Sequence, residues 1–350
     1  MPVHPDTFAP GTPCWADVLV DDLTAARQFY GDLFGWTFED LPAEAGGYVM
    51  ARKDGHVVAG ALARNPDDPG QVNAWTLYLA TDDVDAATQR ATAAGGVFFL
   101  GPLTVLDVGR IAVGADPAGA AYGLWQAKKH TGADLVDEPG ALCWAETMSR
   151  NYDASRTFYA DVFGYRLQEI GEGDFRYCVA SLDDGRPVGG IGEIPAAAPA
   201  DVPSHWMVYF AVDSCDDAAR RVAELGGSVV QEPFDTPYGR MAVVAGSQGE
   251  TFSVMRLAPT EPEAEDGPDG TCGTQAGGRP RRRPLAGADG IRARPPPLGE
   301  CGPWLPSLTR THPSRSVRST AATAARSRRS SITSRRRRST VSACTSRSSG

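Results

Sequence analysis

The chain has 350 residues, is 42% hydrophobic and carries a formal net charge of −9. That composition is ordinary for a globular protein of two or three domains. No stretch approaches the roughly 18 consecutive apolar residues of a membrane span, and residues 1–11 lack the basic start and apolar core of a secretion signal. Seven cysteines, an odd number with no Cys-x-x-Cys pair, point to neither a disulfide framework nor a zinc site. A reducing cytoplasm is the expected location. The charge is unevenly spread: residues 1–260 hold 17 basic and 36 acidic side chains, and residues 261–350 hold 17 basic and 7 acidic. The acidic part repels nucleic acid, and no membrane association is expected of it.

Residues 1–258 encode one module twice. Cys14-Trp15-Ala16-Asp17 returns 129 residues later as Cys143-Trp144-Ala145-Glu146, and Arg27, Phe29, Tyr30, Phe34 and Gly35 return as Arg156, Phe158, Tyr159, Phe163 and Gly164. Val58-Ala59-Gly60 is answered by Val188-Gly189-Gly190. Trp75, Tyr78 and Gly95-Gly96 are answered by Trp206, Tyr209 and Gly226-Gly227. Pro102, Gly109-Arg110 and Gly119 are answered by Pro233, Gly239-Arg240 and Gly249. The expected domains are 1–130 and 139–258, with a tail over 259–350.

Each module reads alike in chain order. Trp15 to Val20 is a strand in which Trp15, Asp17 and Leu19 share a face. A helix follows, capped by Asp21 or Asp22, with an apolar stripe of Leu23, Ala26, Tyr30, Leu33 and Phe34, and it stops at Gly35. Two or three short strands lie around Tyr48–Ala51 and Val57–Leu62, with a turn at Asp54-Gly55. Trp75 to Thr81 is a fresh strand. Asp82 or Asp83 caps a second helix ending at Gly95-Gly96. Strands over Val97–Leu100, Arg110–Gly114 and Ala121–Gln126 close the module. The order βαβββ thus occurs twice per module, an α+β fold.

The tail is rich in Arg, Ser, Pro and Gly and has no apolar period, so disorder is expected. Two readings stand for it: a basic RNA- or membrane-binding arm built on Arg335 to Arg338, or a segment without selected function. All 17 of its basic residues are Arg, which fits GC-rich coding sequence read out of frame.

Three segments together carry a family resemblance: Asp21-Asp22-Leu23…Phe29-Tyr30…Phe34-Gly35-Trp36, Thr81-Asp82-Asp83-Val84-Asp85, and Asp116-Pro117-Ala118-Gly119-Ala120…Leu124-Trp125-Gln126. Asp153…Phe158-Tyr159…Phe163-Gly164-Tyr165 and Val212-Asp213 echo them. Residues 10–258 resemble the vicinal oxygen chelate superfamily of glyoxalases, bleomycin-resistance proteins and extradiol dioxygenases. Within it they are similar to the tandem glyoxalase-like group of actinobacteria, some of which sit in aromatic-polyketide antibiotic pathways. The resemblance implies curved mixed sheets enclosing a cavity. In metal-dependent members, His or Glu on three strands lines it. Counted across, those places fall at Trp15, Trp75 and Gly123, and at Trp144, Trp206 and Ser253. None is a usual ligand, and a slip of one offers Cys14, Cys143 and His205 but no set of three. No metal or other cofactor is expected.

The ligand-binding candidates are therefore Trp15, Trp75, Trp125, Trp144, Trp206 and Met255, with Phe252 beside them. Equivalent tryptophans suit an apolar or aromatic ligand, and they equally suit packing between two similar halves. Asp17 and Glu146 sit two residues after a tryptophan on the same face and are the candidate catalytic groups, a general base or a holder of a ligand hydroxyl. Pairing with Arg110 or Arg240 is the plainer alternative. Those arginines and His205 are weaker candidates for anion binding and acid–base work. The expected function is metal-independent binding of a small hydrophobic or aromatic metabolite in natural-product biosynthesis or resistance. The alternatives are a lyase, isomerase or hydroxylase-type oxygenase of the same superfamily, with or without a divalent metal, and a pure interaction protein without a cavity. A homodimer stays open.

Overall fold

The computed structural model describes residues 7–258 apart from 69, 172 and 174, and the tail read above lies outside the described residues. The first repeat runs β1 (Pro13–Val20), α1 (Leu23–Phe34), β2 (Thr37–Asp40), β3 (Val49–Lys53), β4 (His56–Ala63), then β5 (Ala74–Ala80), α2 (Val84–Ala93), β6 (Val97–Val105), β7 (Gly109–Ala115) and β8 (Ala121–Ala127). The second runs β9 (Leu142–Ser149), α3 (Tyr152–Phe163), β10 (Arg166–Glu169), β11 (Tyr177–Ser181), β12 (Pro187–Glu193), β13 (His205–Ala211), α4 (Cys215–Glu224), β14 (Ser228–Thr236), β15 (Gly239–Ala245) and β16 (Thr251–Leu257). Each repeat builds one open eight-stranded sheet, ordered β2-β3-β4-β1-β5-β8-β7-β6 and β10-β11-β12-β9-β13-β16-β15-β14. Two βαβββ units meet at the centre of each sheet, where β1 pairs antiparallel with β5 and β9 with β13. Beside that seam, β1 runs parallel to β4 and β5 to β8.

Local chemistry sets the helix ends. Asp22 accepts from the Thr24 and Ala25 amides, Asp83 from Ala86, Asn151 from Ala154 and Ser214 from Asp217. The last residues of α1 and α3 hand over to Gly35 and Gly164 in the left-handed region. No helix among the described residues is long and apolar enough to cross a membrane.

The main core lies where the helices and one face of each sheet meet, and each repeat reaches into the other. The Tyr30 ring of α1 packs 5.8 Å from Phe252 of β16, and Phe34 packs 5.2 Å from Phe210 of β13. Reciprocally, Tyr122 of β8 packs against Phe158 and Tyr159 of α3 at 6.0 and 6.1 Å. Burying each such ring contributes about 1.5–3 kcal/mol. Two buried polar bonds pin the same contact. The Tyr30 hydroxyl donates to Glu250 Oε1 at 2.8 Å, and the Ser155 hydroxyl donates to Asp116 Oδ2 at 2.8 Å. Asp116 also accepts from the Ala118 and Ala120 amides. The Asp-Pro-Ala-Gly turn therefore locks the two repeats together besides reversing the chain.

Candidate functional site

The other face of each sheet is turned away from the main core and carries its own cluster. In the first repeat this inner face holds Cys14, Trp15, Tyr78 and Trp125, with Tyr48, Met50, Ile111 and Val113 against them. Asp17 stands among them, because Trp15 is level with Tyr78, and Asp17 with Thr76, across the β1–β5 seam. Trp15 Nε1 donates to the Tyr48 hydroxyl at 2.8 Å, and that hydroxyl donates to Asp17 Oδ2 at 3.0 Å. Tyr78 is the second phenol donor to Asp17. Loss of water pushes the Asp17 carboxyl up to about 6, against the pull of the two phenols.

The second repeat reproduces this arrangement one methylene longer. Glu146 Oε2 accepts from the Tyr177 hydroxyl at 2.7 Å and Oε1 from the Tyr209 hydroxyl at 2.6 Å, while Trp144 Nε1 reaches Tyr177 at 3.3 Å. Burial raises the Glu146 carboxyl, again opposed by Tyr209 and Tyr177. Around it stand Met207, Tyr209, Met241 and Met255, with Cys143, Trp144, Phe234 and Val243. Gly190 makes the geometry possible: a Cβ there would fall 1.9 Å from the Tyr177 hydroxyl, as one at Gly60 would fall 1.8 Å from that of Tyr48. Both glycines let a tyrosine lie across the sheet to its carboxylate. All four tyrosines ionise far above their ordinary range because of burial, so they act as donors.

The predicted residues separate by strand parity. Trp15, Trp125, Trp144 and Met255 are on the inner faces, with Asp17 and Glu146. Trp75 and Trp206 are in the main core, on the opposite face from Tyr78 and Tyr209. Their indoles donate to the Tyr30 and Tyr159 hydroxyls at 3.1 and 2.7 Å, and the packing alternative holds for these two. Phe252 is core as well. The inner-face position on β5 is Thr76, one residue from the counted place, and on β13 it is Met207. Arg110 and Arg240 pair with Asp85 and Asp216 at the starts of α2 and α4, away from Asp17 and Glu146. His205 Nδ1 lies 2.8 Å from the Pro203 carbonyl at the end of its strand. The Cys14 and Cys143 thiols meet the Tyr78 and Tyr209 carbonyls, and burial raises both far above the reactive range. The tyrosines were missed as site residues. Their signal was present in the matched pair Tyr78 and Tyr209, and in Tyr48 and Tyr177 at the offset of Trp15 and Trp144.

The donor set does not fit the three-ligand cation site of metal-dependent relatives. Each inner face offers one carboxylate, already accepting from two phenols. No group of three or more His, Cys, Asp or Glu among the described residues is placed to hold a metal ion.

Comparison with known proteins agrees with this architecture. The family model described as Glyoxalase/Bleomycin resistance protein/Dioxygenase superfamily matches residues 14–122 and 142–262. The Mycobacterium bovis protein CFP32, provisionally named a glyoxylase, is 41% identical over 260 residues, covering 73% of this chain and 98% of its own length. The anthracycline biosynthesis protein DnrV of Streptomyces peucetius is 39% identical over 279 residues, covering 74% and 98%. Among solved structures, the 2,3-dioxygenase LapB of a Pseudomonas species superposes with a TM-score of 0.52 at 15% identity, over 74% of this chain and 97% of its own. The Mn(II)-bound glyoxalase of Novosphingobium aromaticivorans gives 0.51 at 19%, over 71% and 82%. With two matched segments, two eight-stranded sheets of paired βαβββ units and relatives aligned nearly end to end, the chain belongs to the glyoxalase/bleomycin resistance/dioxygenase superfamily.

Proposed function

We propose that the protein binds a small, flat, apolar or aromatic metabolite on an inner sheet face, without a metal, in the making or handling of a natural product. The observation that carries this reading is a carboxylate held between two tyrosine hydroxyls at the floor of a face of indoles, phenols and thioethers. Such a face stacks on rings and gains from their burial. The half-buried carboxylate accepts a ligand hydroxyl and so fixes its orientation. The DnrV relative supports the ligand class, since anthracyclines are planar, hydroxylated ring systems.

The experiment is thermal unfolding of the full chain with hydroxyanthraquinones, in EDTA and with added Mn²⁺ or Ni²⁺. Ring compounds are expected to raise the midpoint equally in both conditions. Stabilisation by the divalent ion alone, with none from any ring compound, sinks the reading. One observation favours catalysis as a second reading: burial raises the Glu146 carboxyl above its ordinary range, as a general base requires, while two phenols hold it in place. Turnover of an enolisable hydroxyaromatic ketone that vanishes in Glu146→Gln, with binding retained, would establish it.

A further inference from the structure

We propose that the two inner faces are not equivalent: the second repeat holds the ligand, one planar hydroxylated aromatic molecule per chain, and the first is sealed by the chain itself. This rests on the reading above and narrows it to one site.

The seal is the segment joining the repeats. Trp125 Nε1 donates to the His130 carbonyl at 2.9 Å, and the His130 ring meets Trp15 and Trp125 edge-on at 4.5 and 5.6 Å between centroids. An aromatic ring of the chain thus already sits between the two indoles. The segment then runs along the sheet. The Ala133 amide donates to the Cys14 carbonyl at 2.9 Å, the Asp134 amide to the Val57 carbonyl at 2.7 Å, and the Val57 amide to Asp134 Oδ2 at 2.8 Å. Gly132 permits the approach: its φ is +128°, and a Cβ would fall 2.5 Å from the Cys14 carbonyl oxygen. Trp15 is left 4% exposed.

The counterparts of Cys14, Trp15 and Val57 in the second repeat, Cys143, Trp144 and Pro187, border open space among the described residues. Cys143, Trp144, Pro187 and Val188 line a half-open cleft of about 600 Å³, together with Phe8 and Val136. That volume suits a small organic ligand. The cleft reaches Trp144, whose indole leads through Tyr177 to Glu146.

The walls differ in the same sense. Leu19, Thr76, Ile111 and Trp125 of the first face are answered by Met148, Met207, Met241 and Met255, so four of the chain's six methionines converge on one face. Thioethers adapt their shape and make favourable contacts with aromatic rings, as a wall for a flat guest should.

The test uses the full chain with 1,8-dihydroxyanthraquinone, calorimetric stoichiometry and methionine methyl spectra. One molecule per chain is expected. The methyls of Met148, Met207, Met241 and Met255 should shift, and that of Met50, on the first face, should not. Met255→Trp should lower affinity at least about tenfold. Two molecules per chain, a shift of Met50, or wild-type affinity in M255W would overturn the asymmetry while the proposed function stood. Absence of binding at either face removes both. If M255W does not fold, the methyl spectra of the unaltered chain decide.

Discussion

Tyr30 and Tyr159, Phe34 and Phe163, and Trp75 and Trp206 are the same residues in both repeats, whereas Ile111 and Met241, and Trp125 and Met255, are not. The first set fills the closed core between the sheets; the second lines the inner faces. A closed volume at close packing tolerates a change only where neighbours compensate, as where Tyr122 and Phe252, or Leu79 and Phe210, fill equivalent places in the core. A face bounded by a cleft or by the linker has more latitude and is free to take different work in each copy. Trp15 and Trp144, Cys14 and Cys143, and the carboxylate with its two phenols persist on both inner faces, which marks them as the part of the site that either a guest or the fold requires.

That comparison breaks most directly at the tryptophans. Trp206→Ala should cost about 3–5 kcal/mol, because it empties core volume and strands the Tyr159 hydroxyl. Trp144→Ala, on the half-open face, should cost about 1 kcal/mol and instead abolish ring binding. Urea unfolding and fluorescence titration of the two variants separate the roles, and equal destabilisation would erase the distinction.

Gly190→Ala and Gly60→Ala come next. The added methyl displaces Tyr177 or Tyr48 from its carboxylate, at about 1–3 kcal/mol each by overpacking. If the faces are unequal, only Gly190→Ala should also weaken the ligand.

The pH dependence sharpens the picture of the sealed face. Burial depresses the His130 imidazole to about 4, so the unfolded chain binds its proton first. The His130 contribution is full above 6.5 and is lost as pH falls toward 4. Asp17 is raised to about 6, so its contribution is full below 3.8 and is lost as pH rises through 6. The two oppose each other. Subtracting the His130→Ala stability profile from that of the wild type should leave a contribution that grows from pH 4 to 6.5. Subtracting that of Asp17→Asn should leave one that shrinks from pH 4 to 6. A flat difference in both would show that neither group feels the face as described.

The smallest effect belongs to the helix staples. Arg110→Met removes an exposed pair with Asp85, and its change in melting temperature should fall below all those above and disappear at high salt. A larger loss would mean that Arg110 does more than anchor α2.

Much of the fold was legible because it is written twice. The offset of 129 to 131 residues aligned Trp15 with Trp144 and Tyr78 with Tyr209, and cap residues such as Asp22 and Asp83 with the glycines after α1 and α2 bounded the helices. β2 was not placed, since Thr37–Asp40 is short and mostly exposed. The carboxylates Asp17 and Glu146 were found from the repeat and from strand alternation. Their phenol partners were not, because Tyr48 and Tyr78 lie 31 and 61 residues along the chain from Asp17 and meet it only through the strand pairing. The place of Trp75 was lost to a count off by one, which in a strand reverses the face.

By itself, the amino-acid order determined the two-fold repetition, the alternating faces of each strand and the carboxylate beside each inner tryptophan, because these depend on period and neighbour identity. Which tryptophans look inward, which tyrosines reach the carboxylates, and that His130 closes one hollow while a cleft borders the other were decided only when the strands paired and the linker lay down. Those facts are contacts between segments far apart in the chain, set by register and by competition for a common volume.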